Sequence, residues 1–289
     1  MNKTILISKA PAFLERFDEY LLDCGVGMSA ISLHNSLYSC NFYNGCSNNC
    51  VYCYLKKEPF KKEMGGKVPT LKKCFRNSQE YAKQCFEKEL NTNLSGLQKH
   101  GLLMSFTTDP LLPETQSLTK FTIETSLNAN VPVKILTKRA DWLQWFNFDI
   151  CKKWKTNIDF GFTLTGRDDL EPNASTNAER IEAMRKIHNA GFKTFASVEP
   201  IIDFESSYEM IVKTIEFCDY FKIGLWNGKK YKKDDIEKFV KSVLSCSSVF
   251  SIKGYNPKFY FKESLLQQAD ICCEDFLQNI INKDCNTEN

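Results

Sequence analysis

The chain has 289 residues, 43% of them apolar and 25% charged, with a formal net charge of +3. That is enough apolar content for a sizeable core, and too little net charge to mark a nucleic-acid binder by itself. No apolar run reaches the length of a membrane span, no basic-then-apolar leader is present, and the thirteen cysteines are odd in number; a reduced cytoplasmic protein is expected, not a disulfide-framed secreted one.

The first thirty residues mix apolar and charged positions without a period and are expected to cover one end of the fold. From Ile31 to Tyr43 a partial alternation reads as a strand that delivers the chain to Gly45-Cys46-Ser47-Asn48-Asn49-Cys50-Val51-Tyr52-Cys53. Residues 56–71 are polar and broken by Gly and Pro, so they read as a loop. A helix follows over 77–94, with Ser78 as its cap. Leu102 to Pro110 is a compact apolar run ending in polar residues and a proline, the look of a buried parallel strand. Beyond it come a helix over 116–128, strands over 131–138 and 158–165, a helix over 177–190 closed by Gly191, a strand over 192–200, a helix over 206–217 and a strand over 220–226.

Alternation of strand and helix at this interval predicts right-handed βαβ units and a parallel sheet of about six strands. Periodicity alone fits either a partial barrel or an open doubly wound sheet. One domain over 1–248 is expected, with 249–289 as a C-terminal appendage packed on it.

The three cysteines are spaced C-x3-C-x2-C, with Tyr52 just before the third. A loop this short can wrap one compact polynuclear site, and three thiolates on an iron–sulfur cluster leave one iron open to a small molecule. Structural zinc or a closed electron-carrier cluster would need a fourth ligand, for which Cys40 and His34 are the nearby candidates.

Cys46-Ser-Asn-Asn-Cys50-Val-Tyr-Cys53 resembles the signature of the radical S-adenosylmethionine superfamily, and the longer run from Gly45 to Tyr54 is similar to its spore photoproduct lyase-like branch. The resemblance implies a partial (β/α)6 parallel barrel in which Cys46, Cys50 and Cys53 hold a [4Fe–4S] cluster and Tyr52 packs against the adenine of S-adenosylmethionine. It further implies that Asp109 shapes the cofactor pocket, that Lys138 faces the cofactor carboxylate, and that Thr163 contacts the carboxylate or ribose. An external electron donor of the flavodoxin or ferredoxin type is implied, as is hydrogen abstraction from a substrate, with a nucleic-acid base as the branch's suggestion.

Polar residues stand at every expected strand tip, where packing does not call for them. They include Asp109, Lys138, Thr163, Arg167 and Glu199. Asp109 equally suits a turn cap, and Glu199 is read as a partner for the cofactor ammonium, for a substrate group or for Arg167. Lys56, Lys57, Lys61, Lys62, Lys67, Lys72, Lys73 and Arg76 cluster after the cysteine loop, and Lys229, Lys230, Lys232 and Lys233 form a second basic group. Both suit either solvated surface or polyanion binding.

Overall fold

The computed structural model describes residues 7–9, 38–58, 60–144 and 146–271. Its strands are β1 (Ile7–Lys9), β2 (Tyr38–Cys40), β3 (Tyr43–Asn44), β4 (Thr70–Leu71), β5 (Leu102–Met104), β6 (Val133–Thr137), β7 (Ile158–Thr163), β8 (Lys193–Ile201), β9 (Tyr220–Leu225) and β10 (Lys258–Phe261). Its helices are α1 (Phe60–Glu63), α2 (Gln79–Thr92), α3 (Leu94–His100), α4 (Gln116–Asn128), α5 (Phe148–Cys151), α6 (Asn177–Asn189), α7 (Phe204–Thr214), α8 (Lys233–Ile252) and α9 (Glu263–Gln268).

Eight strands form one sheet in the order β1-β2-β5-β6-β7-β8-β9-β10, with β1 antiparallel to β2 and every later pair parallel. Among the described residues the sheet does not close on itself, and the architecture is the α/β partial barrel expected. The five later expected strands are present, and the first, expected over 31–43, appears as β2 and β3, its residues 31–37 lying outside those described. The seventh parallel strand, β10, lies within the segment expected as an appendage, and Phe259 from it joins the main core. Apart from β1, the residues expected to cover one end of the fold lie outside those described, as does the tail beyond residue 271.

Local chemistry explains the helices. The Ser78 side chain accepts from the Tyr81 amide at 3.1 Å and starts α2. Thr176 and Glu179 form a reciprocal capping box at α6, and Gly191 turns the chain after it at φ +84°. Asp203 accepts from the Ser206 amide at 2.8 Å and caps α7. The sequence reading placed no helix over 233–252, yet Ile236, Phe239, Val240 and Val243 there are buried at helical spacing, the pattern of an amphipathic helix.

The two faces of the sheet differ. Val133, Ile135, Phe160, Phe162, Ala196, Val198, Phe221 and Ile223 join residues of α2, α4, α6, α7 and α8 in one continuous core. Their alternating neighbours Leu136, Phe195, Tyr220 and Tyr260 form a separate cluster made of strand residues alone. Among the described residues, helices therefore pack on one face only, the arrangement of a partial barrel and not of a doubly wound sheet. The other, inner face carries Lys134, Asp159, Ser197, Glu199 and Lys222 in alternation with the core residues. No helix among the described residues is long and apolar enough to cross a membrane.

Gly161 sits on that inner face beneath the Phe195 ring, which stacks on Tyr220 at 4.7 Å between centroids. A Cβ at Gly161 would lie 2.1 Å from Phe195 Cζ. Gly161→Ala is therefore expected to destabilise the fold by about 1–3 kcal/mol through overpacking, read as a lower urea midpoint at unchanged slope. A midpoint equal to that of the parent protein contradicts this packing.

Candidate functional site

The cysteine loop leaves β3 at the C-terminal end of the parallel strands and is fixed from two sides. On one side, the Gly45 amide donates to Met64 O at 2.9 Å and the Cys46 amide to Gly66 O at 3.1 Å. This close backbone approach needs a glycine: Gly45 has φ +83°, and a Cβ there would meet Val68 O at 2.6 Å. On the other side, the Val51 amide donates to Leu170 O at 2.9 Å and Asn173 Nδ2 donates to Ser47 O at 2.9 Å, which binds the loop to the segment after β7. Within the loop, Lys56 Nζ donates to Asn49 O at 2.9 Å and to Asn49 Oδ1 at 2.6 Å.

Asp109 joins this loop to the tips of β5 and β6. Its Oδ2 accepts from Asn48 Nδ2 at 2.8 Å and from the Lys138 amide at 2.7 Å, while Oδ1 accepts from Thr137 Oγ1 at 2.7 Å and from the Leu111 amide at 3.0 Å. A carboxylate offers about four acceptor positions, and here protein donors take them all. Asp109 thus makes the turn and also positions Asn48 and Lys138. Thr107, beside it, donates to Tyr43 O, and Asn41 Oδ1 accepts from the Phe106 amide at 2.7 Å.

Tyr52 is buried, and its hydroxyl donates to Glu171. The other Glu171 oxygen takes Arg180 Nη2, and Arg180 Nη1 donates to the carbonyl of Thr163 at 2.6 Å. Glu171 and Arg180 side chains are both wholly buried. The Lys138 ammonium lies 5.6 Å from the Tyr52 ring centroid, and Trp226 meets the same ring edge-on at 6.3 Å. Burial opposes the Lys138 charge, but Cys50 and Glu171 outweigh it and its pKa is raised. Sequence reasoning named Tyr52, Lys138 and Thr163 but missed Glu171 and Arg180. The available signal was an arginine placed among the buried positions of an amphipathic helix.

Cys50 is buried and Cys46 and Cys53 are half-buried, all as free thiols. Burial, with Asp109 next, pushes the Cys46 thiol up to about 12. Among the described residues no three His, Cys, Asp or Glu side chains converge into a finished metal site. Cys40, weighed as a fourth ligand, is fully buried in the helix-side core, apart from the small cluster that contains Cys50 and Cys53. The other candidate, His34, lies outside the described residues.

Of the three partners considered for Glu199, one is excluded. Arg167 pairs with Asp169 at 2.7 Å and Asp203 at 3.3 Å, not with Glu199. Glu199 instead meets Lys222 at 3.2 Å and Lys262 at 2.7 Å. The first basic group lies beside the loop: Lys56, Lys57, Lys61 and Lys62 are exposed, as are Tyr54, Phe60 and Phe106. Lys57 and Lys229, one from each basic group, both stand 5.7 Å from the Trp226 ring.

The residues present fit a cluster and its cosubstrate. Three thiols share one pinned loop, the Lys138 cation acts on one of them, and two buried polar atoms, Asn48 Oδ1 in that loop and Thr108 Oγ1 just before Asp109, have no hydrogen-bond partner.

No model of a known protein family matches the chain. An uncharacterized protein of Methanocaldococcus jannaschii is 26% identical over 205 residues, which is 66% of this chain and 71% of that one. An uncharacterized protein of Acidianus two-tailed virus is 25% identical over 254 residues, covering 75% and 81%. Among solved structures, spore photoproduct lyase complexed with dinucleoside spore photoproduct matches with a TM-score of 0.55 at 16% identity, over 78% of this chain and 76% of that one. SuiB of Streptococcus suis bound to S-adenosylmethionine matches with a TM-score of 0.51 at 12% identity over 78% of this chain, which spans about half (51%) of SuiB. The chain therefore has the fold of radical S-adenosylmethionine proteins of the spore photoproduct lyase and SuiB kind.

The buried Glu171–Arg180 pair yields a measurable consequence. Arg180→Met leaves a carboxylate buried without its cation and is expected to cost about 3–5 kcal/mol, whereas Arg180→Met combined with Glu171→Gln recovers part of that loss. Urea denaturation of the single and double variants checks it; equal losses in both would contradict the pairing.

Proposed function

We propose that the chain is a radical S-adenosylmethionine enzyme. The observation that carries this reading is the C-x3-C-x2-C loop at the C-terminal end of a one-sided parallel sheet, pinned between the 64–68 and 168–173 segments in a fold shared with proteins solved with S-adenosylmethionine. A [4Fe–4S] cluster held by Cys46, Cys50 and Cys53 would supply, when reduced, the electron that cleaves S-adenosylmethionine and yields a 5′-deoxyadenosyl radical.

The chain's own residues do the positioning. Lys138, turned by the Asp109 contact to its own amide, presents its ammonium for the cosubstrate carboxylate. The Tyr52 ring, locked through its hydroxyl to Glu171, offers a fixed face to the adenine. Thr163 stands at the end of β7 on the inner face, for the carboxylate or ribose. Asp109 contributes through Asn48 and Lys138. The inner face, walled by the helix-packed sheet behind it, excludes water from the radical.

Spore photoproduct lyase has been solved with a dinucleoside and SuiB with a precursor peptide, so the fold serves both substrate classes. The basic and aromatic rim of Lys56, Lys57, Lys61, Lys62, Tyr54, Phe60, Phe106 and Trp226 favours a nucleic-acid base here, since lysines take phosphates and aromatic faces take bases. Repair or modification of that base is the corresponding activity. A flavodoxin- or ferredoxin-type donor would supply the electron. The free thiols of the described residues suit a reducing cytoplasm. Structural zinc or simple electron transfer is the less favoured reading, because Cys40, one of the two candidate fourth ligands, is buried in the core.

After anaerobic reconstitution and reduction, the protein is expected to form 5′-deoxyadenosine from S-adenosylmethionine. Cys46→Ala, Cys50→Ala and Cys53→Ala should each abolish it, and Cys40→Ala should retain it. Lys138→Met should raise the S-adenosylmethionine concentration at half-maximal rate by about tenfold or more, the loss of one charge-assisted contact. A reconstituted protein that forms no 5′-deoxyadenosine overturns the reading.

A further inference from the structure

Glu199, Lys222 and Lys262 form an ion cluster that no step above uses. The carboxylate of Glu199, from β8, lies 3.2 Å from Lys222 Nζ of β9 and 2.7 Å from Lys262 Nζ, just past β10. Side-chain exposure is 14% for Glu199 and 16% for Lys222, against 35% for Lys262. The cluster thus reaches solvent through one of its two ammonium groups. Ser197 Oγ adds a contact to Glu199 Oε2 at 3.3 Å.

Three features separate this cluster from an ordinary packing device. Its charges do not balance, because one carboxylate faces two ammonium groups. Its inner pair, Glu199 with Lys222, is largely buried, and such a pair is a poor source of stability, since apolar side chains of similar volume would serve the fold as well or better. The chain also makes room for it: a Cβ on Gly224 would fall 2.2 Å from Glu199 Oε1 and 2.8 Å from Lys262 Cδ. Finally, the register places it in line with the site. Thr163 pairs with Ser197, Ser197 with Lys222, and Lys222 with Tyr260, one row across four strands on the inner face.

We propose that Lys222 and Lys262 form a subsite for an oxyanion of the substrate, a phosphate or carboxylate group, with Glu199 as the built-in counter-ion that holds the two ammonium groups together until substrate enters. This rests on the reading of the inner face as the reaction chamber. The groups facing Lys222 are Glu199 and Lys262; burial first, with Lys262 adding and Glu199 opposing, brings its pKa down to about 8, so it stays charged at neutral pH. The nearby Tyr260 phenol is pushed up by burial and by Glu199, so it stays neutral there. An arriving oxyanion therefore meets net positive charge in a setting where water screens little.

Titration calorimetry of the purified full-length protein with inorganic phosphate, and separately with acetate, tests this at pH 7. The parent is expected to bind one of the two, and the preferred anion assigns the group as phosphate or carboxylate. Lys222→Met and Lys262→Met should each weaken that binding by about tenfold or more, Glu199→Gln should tighten it by a similar factor, and Lys213→Met, at an exposed pair with Glu209, should leave it unchanged. Lys262→Met touches the more exposed member and keeps the test open if Lys222→Met does not fold. Binding of neither anion by the parent, parental affinity retained in both Lys222→Met and Lys262→Met, or an equal loss in Lys213→Met overturns the subsite. The 5′-deoxyadenosine assay on the parent decides the radical reading independently, so the two fail separately.

Discussion

The Asp109 carboxylate carries the geometry of the candidate site. Four donors from three separate stretches of chain converge on it: Asn48 in the cysteine loop, Thr137 and Lys138 at the tip of β6, and Leu111 in the turn after β5. Two of the four are backbone amides, so the contact sets the course of the chain as well as side-chain orientation. Hydrogen bonds to an ionised acceptor are about twice as strong as neutral ones, and a buried carboxylate stripped of its donors is costly. Once this knot forms, the positions of Asn48 and the Lys138 backbone follow from it. Tyr52 is settled by a second knot, Glu171 with Arg180, which reaches the carbonyl of Thr163. All four residues expected to handle the cosubstrate belong to one of these two networks.

Placing the helices on one side of the sheet has a chemical consequence. On the helix side, the central strands bury mostly apolar alternate residues in one packed core. On the inner side the same strands can carry charge without disrupting that core, because successive side chains point to opposite faces. A doubly wound sheet would bury both faces and exclude Lys134, Asp159, Glu199 and Lys222 from mid-strand positions.

Much of this was legible from local pattern. The six expected strands, the caps at Ser78 and Gly191, and the cysteine spacing are short-range features, and short-range chemistry decides them. What escaped depended on long-range contact. Glu171 lies in a stretch of Asp, Asn and Pro that reads as an ordinary loop, and only folding brings it against Arg180 and against Tyr52, 119 positions away. The partner of Glu199 stayed open for a similar reason: Arg167, one of three partners considered, is satisfied by Asp169 and Asp203, whereas Lys222 and Lys262 reach Glu199 through strand pairing. β10 went uncounted because Lys258-Phe259-Tyr260-Phe261 is four residues long and followed a segment with no recognised element.

The inner face itself divides into two levels. At the lower one, Phe195 stacks on Tyr220, the Tyr220 hydroxyl donates to Asp159 at 3.4 Å, and Lys134 stands opposite Asp159 in register and 5.9 Å from the Tyr220 ring. Opposite charges face each other there beside stacked rings, so that level acts as a floor. At the upper level the matching stops: Glu199 faces two ammonium groups, and Thr108 Oγ1 and Asn48 Oδ1 have no partner. On this face the surplus of polar groups therefore lies toward the strand tips, beside the cysteine loop.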